Sequence, residues 1–313
     1  MEFHYEDIGG LVPPLVTPMR RDKSVDPEGV DRLVNHVIGS GKTQNVDGVF
    51  ICGLTGEGPW LNDKQSHDMF NATVESVKGR VPVLFGALGR TAEEAEMLAR
   101  YGAENGADAI VVAPMMFLDY NQQVFTWVAK AAASVNVPVY AYTNPALANL
   151  RERPANAHLR ISPATFEELL DIPTFMGIKC SGLRDGEIGN YCGATREHDA
   201  RVFVGDEESM IWFEHVVPSY ANLDPKVCRD LQTERDFYSP IGRRLQDYII
   251  ESGTVVYAGR KKHRPGLKTA LSHLGICKPF FVEPAADLNE KEERAIEQHV
   301  DKLVEEGLYQ RAG

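Results

Sequence analysis

The sequence predicts an α/β protein, a closed (β/α)8 barrel followed by a C-terminal helical extension. Three observations lead there. Short β-branched apolar runs alternate with amphipathic stretches over the first ~225 residues. The runs are apolar almost throughout, as parallel strands covered on both faces by helices must be. They also number eight, where an open doubly wound sheet more often uses fewer.

In order, the expected strands are 10–18 (GLVPPLVTP), 46–53 (VDGVFICG), 81–88 (VPVLFGAL) and 108–114 (DAIVVAP), then 137–142 (VPVYAY), 175–180 (FMGIKC), 201–205 (RVFVG) and 216–220 (VVPSY). Helix openings lie between them: Asp26 followed by Pro27 at the first helical position, a Thr91-x-x-Glu94 capping box, and Ser162 followed by Pro163. Between the third and fourth strands, Ala95, Leu98, Ala99 and Ala103 repeat at helical spacing before the break at 105–108 (NGAD), which completes a βαβ unit. This is the TIM-barrel pattern. After Asn222 strand signals stop, and helical patterns follow at 224–231, 236–251, 266–275 and 289–307. The barrel is therefore placed at 1–225 and the helical domain at 226–313, with no repeat, low-complexity tract or Gly/Ser linker between them. Length alone would allow two domains in 313 residues, but barrels of this kind reach ~250 residues as one unit.

Charge and cysteine usage narrow the function classes. With 33 Lys and Arg against 45 Asp and Glu, the net charge is -12, and no basic stripe is dense enough to follow a phosphate backbone, so no nucleic-acid partner is expected. Cys52, Cys180, Cys192, Cys228 and Cys277 are scattered and odd in number, which suggests neither a disulfide framework nor a zinc site. The nine histidines form no metal pattern such as H-E-x-x-H, and no metal is expected. The start, MEFHYEDIGG, lacks the basic patch and apolar core of a signal peptide, and no apolar run approaches the ~18 residues of a membrane span, so a cytoplasmic location with no membrane partner is expected.

Residues at the carboxyl ends of barrel strands face the active-site mouth, and three such ends carry polar groups suited to chemistry. The first is Lys179, in an otherwise apolar strand. An isolated ammonium there costs several kcal/mol, so such an amine tends toward its neutral, nucleophilic form and can condense with a ketone to give an electron-withdrawing iminium. The alternative is a lysine that snorkels to the rim or pairs with Glu57 or Asp206. Tyr142 ends a strand expected beside that of Lys179, where its phenol is either a proton carrier or a rim tyrosine in water. The turn at 53–58 (GLTGEG) either holds a carboxylate on the amides of Leu54 and Thr55 with the Thr55 hydroxyl, or is a tight turn with Glu57 as a structural carboxylate. It lacks the lysine of a phosphate-binding loop. The run 261–264 (KKHR) reads as solvated charge in a helix-connecting loop.

Together these stretches resemble the dihydrodipicolinate synthase / N-acetylneuraminate lyase family of class I pyruvate aldolases. The resemblance covers nearly the whole chain: GLVPPLVTPM from Gly10, G-x-T-G-E at Gly53 to Glu57, Y-x-x-P at Tyr142 to Pro145, G-I-K at Gly177 to Lys179, Gly205-Asp206, Ala221-Asn222 and the late helix at 266–275. It implies that Lys179 forms a Schiff base with a 2-oxo acid, that Tyr142 shuttles protons, and that Leu54 and Thr55 grip the pyruvyl carboxylate. It also places Val217 as a backbone contact to the pyruvyl unit, and implies a homotetramer using a 2-oxo acid and an aldehyde, with no cofactor beyond the lysine imine.

Departures from the family pattern shape the expected substrate. Leu54 stands where many members carry Ser or Thr, and Met115 and Met116 where many carry a Tyr-Tyr pair, so the hydroxyl relay of the synthase is missing. Leu147 occupies the position of the synthase arginine, and 145–147 (PAL) resembles the lyase branch; dihydrodipicolinate synthesis is therefore not expected. About nine extra residues lie around 148–160 and about five are absent between Asp206 and Ala221, judged against short barrel loops. Leu54, Met115, Met116 and Phe117 imply an apolar mouth and a less hydroxylated or aromatic aldehyde. Aryl-cleaving hydratase-aldolases are similar in carrying Asn-Pro after the tyrosine's strand, as at Asn144 and Pro145. The expected activity is a pyruvate-dependent carbon–carbon lyase. The alternatives are dehydration of a 2-keto-3-deoxy sugar acid through the same imine, or a non-catalytic barrel that binds a 2-oxo acid.

Overall fold

Six parallel strands form one sheet in sequence order: β1 (Val49–Ile51), β2 (Val83–Ala87), β3 (Ala109–Val112), β4 (Val139–Thr143), β5 (Phe175–Cys180) and β6 (Arg201–Val204). The computed structural model describes residues 8–39, 44–89, 91–113, 120–144, 160–259, 262–283 and 287–306. Met115, Met116, Phe117, Pro145, Leu147 and the inserted stretch up to residue 159 lie outside them.

Eight strands are expected and six are found among the described residues. The first and last expected strands, 10–18 and 216–220, are present only as isolated parallel bridges: Leu11 with Val216, Pro14 with Phe50 of β1, and Val204 of β6 with Val216. Proline explains the reduction. Pro13, Pro14 and Pro18 in one segment and Pro218 in the other lack the N–H that continues a ladder. Hydrogen bonds survive between the prolines, from Leu15 N to Phe50 O, Val12 N to Val216 O and Val217 N to Val204 O.

Helices cover the sheet: α1 (Pro27–Ile38), α2 (Asp63–Val77), α3 (Ala92–Glu104), α4 (Tyr120–Ser134), α5 (Pro163–Leu170) and α6 (Asp185–Ala194). The Thr91 and Ser162 side chains accept from the Glu94 and Thr165 amides, as N-caps should. Asp26 does not cap α1; its carboxylate lies between Arg20 and Arg32 at 3.7 and 3.6 Å. The C-terminal helices are α7 (Pro225–Thr233), α8 (Pro240–Val256), α9 (His263–His273) and α10 (Glu290–Glu305). Because α9 begins at His263, the KKHR run is not the loop expected: Lys262 is the N-cap residue and His263 and Arg264 open the helix.

Successive strand side chains alternate between two hydrophobic clusters, as the strand period of two requires. Val49, Ile51, Phe85, Ile110, Val112 and Ala141 join the large cluster beneath the helices. Phe50, Leu84, Val111, Tyr140, Tyr142 and Phe203 join the smaller one on the other face, with Val12 and Val217. Strand β5 breaks the alternation. Phe175 and Ile178 both pack beneath the helices although they are three positions apart, because the β4–β5 register shifts after Val139 and Met176 is bulged. Gly177 makes the bulge possible at φ 142, where a Cβ would lie 1.9 Å from the Arg201 carbonyl oxygen. A one-residue slip turns every later side chain to the opposite face. Lys179 thereby comes onto the same face as its register partner, Tyr142.

Candidate active site

One cavity of about 380 Å³ opens at the carboxyl ends of these strands. Lys179, Tyr142, Leu54, Thr55 and Val217, all singled out by sequence, line it together. Lys179 is 6% exposed, its Nζ donates to Ser181 Oγ at 2.8 Å, and it lies 3.9 Å from the centroid of the Tyr142 ring. Neither Glu57 nor Asp206 comes within 4 Å of the amine, so the ion pairs weighed for it do not form among the described residues. Gly205 leaves room for this arrangement: a Cβ there would lie 2.1 Å from Ser181 Oγ and 2.9 Å from Lys179 Nζ.

Around the amine, neighbours fix the other groups. Asn144 Nδ2 donates to the Tyr142 hydroxyl at 2.9 Å in a buried contact. The hydroxyls of Thr55 and Ser219 share a hydrogen bond of 2.8 Å. In the turn after β1, the amides of Glu57 and Gly58 bond back to Leu54 and Gly53, while those of Leu54 and Thr55 have no backbone acceptor among the described residues. Val217 is positioned differently from a donor: its N–H is spent on Val204 O at 2.7 Å, leaving its carbonyl as its backbone polar group for a ligand.

Glu57 belongs to the structure of the turn. In the left-handed region at φ 62 and fully buried, it accepts from Lys268 Nζ at 2.5 Å and from the Val282 amide at 2.9 Å. Asp206 also lines the cavity and accepts from the Gly182 amide at 2.8 Å; burial raises its carboxyl above the ordinary range. Glu207 is held by the Tyr220 amide and the Tyr257 hydroxyl, both at 3.0 Å.

Sequence reasoning missed the wall that α9 contributes. Lys262, His263 and Arg264 line the cavity, with Trp60 from the turn after β1. Arg264 lies 4.1 Å over the Trp60 ring. The His263 ring sits 4.3 Å from that of Tyr257, and its pKa falls to about 4, first through burial and then through the charges of Arg264 and Lys179. Helical spacing alone gave no sign that this end of α9 reaches the strand ends. The described lining is more polar than the apolar mouth expected, with Asn144, Ser181 and Ser219 beside these charges.

Comparison with known proteins bears on the family and the fold. A 4-hydroxy-tetrahydrodipicolinate synthase of Bartonella bacilliformis is 26% identical over 95% of this chain and 99% of its own length. One of Nitratidesulfovibrio vulgaris is 32% identical over 85% of this chain and 88% of its own. The structure of dihydrodipicolinate synthase from Bacteroides thetaiotaomicron superimposes with a TM-score of 0.82 at 28% identity, covering 95% of this chain and 99% of that one. These relatives correct one expectation: dihydrodipicolinate synthesis was set aside on Leu54, Leu147 and the methionine pair, and relatives bearing the synthase name do not bear that exclusion out. The profile of the dihydrodipicolinate synthetase family matches residues 7–234, from the first bridging segment through α7, and the chain belongs to that family.

Proposed function

We propose that the chain is a class I lyase that makes or breaks the carbon–carbon bond between pyruvate, or a related 2-oxo acid, and an aldehyde through an imine on Lys179. The observation that carries this reading is the buried pairing of Lys179 with Tyr142 across β4 and β5, with no salt-bridged carboxylate on the amine among the described residues. The segments at 11–15 and 215–217 are taken to close the sheet into a barrel around that pair.

The Lys179 amine adds to the ketone carbon, and the carbinolamine oxygen leaves as water after protonation, giving an iminium. In cleavage, the iminium nitrogen accepts the electron pair of the C3–C4 bond as the C4 hydroxyl loses its proton and becomes the aldehyde. The enamine carbon then takes up a proton, and hydrolysis releases pyruvate and the amine. Synthesis runs through the same steps reversed. Tyr142, its hydroxyl held by Asn144, carries the protons. The free amides of Leu54 and Thr55, with the Thr55 hydroxyl set by Ser219, hold the carboxylate.

Incubation with pyruvate and borohydride is expected to add one reduced pyruvyl mass at Lys179. Unmodified protein, or an adduct that persists in Lys179→Ala, sinks the reading. Because the imine is the electron sink, dialysis against EDTA is expected to leave turnover unchanged. An assay for 4-hydroxy-tetrahydrodipicolinate decides whether the relatives' named reaction is shared. Dehydration of a 2-keto-3-deoxy sugar acid is favoured by one feature, Asp206, a second carboxyl on the cavity wall whose pKa burial raises; a dehydrated acid in place of free aldehyde selects that course. A cytoplasmic homotetramer goes with the family reading, and light scattering tests the assembly.

A further inference from the structure

The cavity wall formed by α9 has a use that the imine chemistry leaves open. The charged groups lining the cavity are nearly all spoken for. Asp206 is bound to the Gly182 amide, Glu207 to the Tyr220 amide and Tyr257 hydroxyl, and Lys262 to Glu292 and the Asp287 carbonyl, both at 2.6 Å. Arg264 differs. Among the described residues its half-buried guanidinium makes no hydrogen bond or ion pair; it stacks on Trp60, and the charge of Glu57, already bonded to Lys268, reaches it only at longer range and offsets less than burial costs it.

A stacked guanidinium uses its face, while its N–H donors lie in its plane and stay free for a planar or tetrahedral oxyanion. Withdrawing such a cation from water without a partner is unfavourable, and an anion arriving in the cavity removes the deficit. His263, beside it, is neutral near pH 7, and Lys262 is paired with Glu292, so the cation on this wall without an ion-pair partner among the described residues is Arg264. The 2-oxo acid's carboxylate already has a place at the turn after β1, on a different element.

We infer that Arg264 is a specificity-determining residue that pairs with an anionic group, carboxylate or phosphate, on the aldehyde, while Trp60 holds the guanidinium plane in place. This rests on the Schiff-base reading above, and the experiment separates the two. The full-length protein and Arg264→Met, which keeps an apolar stem against Trp60, are assayed with pyruvate and paired aldehydes: 4-oxobutanoate against its methyl ester, and glyceraldehyde 3-phosphate against glyceraldehyde. The unsubstituted protein is expected to prefer the anionic member of at least one pair, and the pair that responds identifies the anion. Arg264→Met is expected to lose that preference about tenfold to a hundredfold in kcat/KM, with Arg264→Lys recovering only part, since Lys keeps the charge but not the planar fork.

Borohydride trapping of pyruvate on Arg264→Met is the control for fold and for the imine, and a normal adduct is expected. Loss of that adduct would instead assign Arg264 to pyruvate or to folding and overturn the inference. So would an equal loss for charged and neutral aldehydes, or no anionic preference in turnover or in binding to the reduced pyruvyl protein. If the unsubstituted protein gives no adduct, the imine reading fails by itself; anion selectivity is then read from binding of each aldehyde pair to the unmodified protein, where no preference again overturns it.

Discussion

The two lysines buried among the described residues, Lys268 and Lys179, occupy opposite electrostatic situations. Lys268, on α9, is fully buried and saturated: it donates to Glu57 at 2.5 Å and to the Phe280 carbonyl at 2.6 Å, and stands 4.5 Å from the Phe281 ring centroid. Burial lowers its pKa while Glu57 opposes that shift. Lys179, on β5, is nearly as buried but has one neutral partner, Ser181, and a tyrosine ring. A paired lysine fastens α9 to the turn after β1; an amine without a carboxylate is left available to react. On the proposed imine mechanism, the difference separates structure from chemistry in two residues of the same type.

Substitution of each lysine by methionine is the sharpest way to break the comparison. For Lys179→Met, turnover is expected to fall by at least ~10⁴-fold, since the nearby amines of Lys262 and Lys268 are held in ion pairs with Glu292 and Glu57. Its thermal unfolding temperature is expected to hold or rise, because an apolar side chain replaces a desolvated amine. A variant that stays active refutes the assignment. Tyr142→Phe follows, with kcat expected to drop about 10²- to 10⁴-fold while borohydride still traps pyruvate slowly.

The other side of the comparison is read in stability. Lys268→Met leaves the Glu57 carboxylate buried without its cation and is expected to destabilise by about 3–5 kcal/mol in denaturant unfolding. Adding Glu57→Gln should recover part of that loss; full additivity of the two would deny their coupling. Gly177→Ala is expected to lose about 1–3 kcal/mol, because φ 142 and the Arg201 carbonyl leave no place for a Cβ, and to impair activity by disturbing the bulge that orients Lys179.

The smallest effect is in pH dependence. His263 titrates at about 4 when folded and near its ordinary 6.5 when unfolded, so between those values the unfolded chain holds more protons. Stability from this group is full above pH 6.5 and falls as pH drops toward 4. In His263→Gln the unfolding temperature should change less steeply across that window, and an unchanged slope would show that the histidine is not desolvated as described.

Much of this arrangement is legible in sequence. Apolar β-branched runs gave all six strands, and the three polar strand ends named Lys179, Tyr142 and the 53–58 turn, which do meet in one cavity. The first and eighth staves were overread because the apolar pattern outweighed Pro13, Pro14 and Pro218, which the ladder cannot ignore. Asn144 was noticed only for the Asn-Pro pair it shares with aryl-cleaving hydratase-aldolases, and Ser181 and Ser219 not at all, since a hydroxyl becomes functional only through what it faces. The KKHR run was misplaced because charge density says where solvent is tolerated, and nothing about which end of a packed helix meets a distant turn.

By itself, then, the sequence determined the alternation of strands and helices, since hydrophobic periodicity is a local property of the chain. It also determined which residue types end each strand. Tertiary structure alone decided the facing. Strict alternation from Phe175 would send Lys179 under the helices with that phenylalanine; the bulge at Met176 and Gly177, set by pairing with β4 and by the closeness of Arg201, turns it onto the face of Tyr142. Tertiary structure likewise chose Lys268 over Lys179 as the partner of Glu57, across 211 positions of sequence. Both outcomes depend on contacts between segments remote in the chain, where the free energy of burying or pairing a charge is settled by the assembled surroundings.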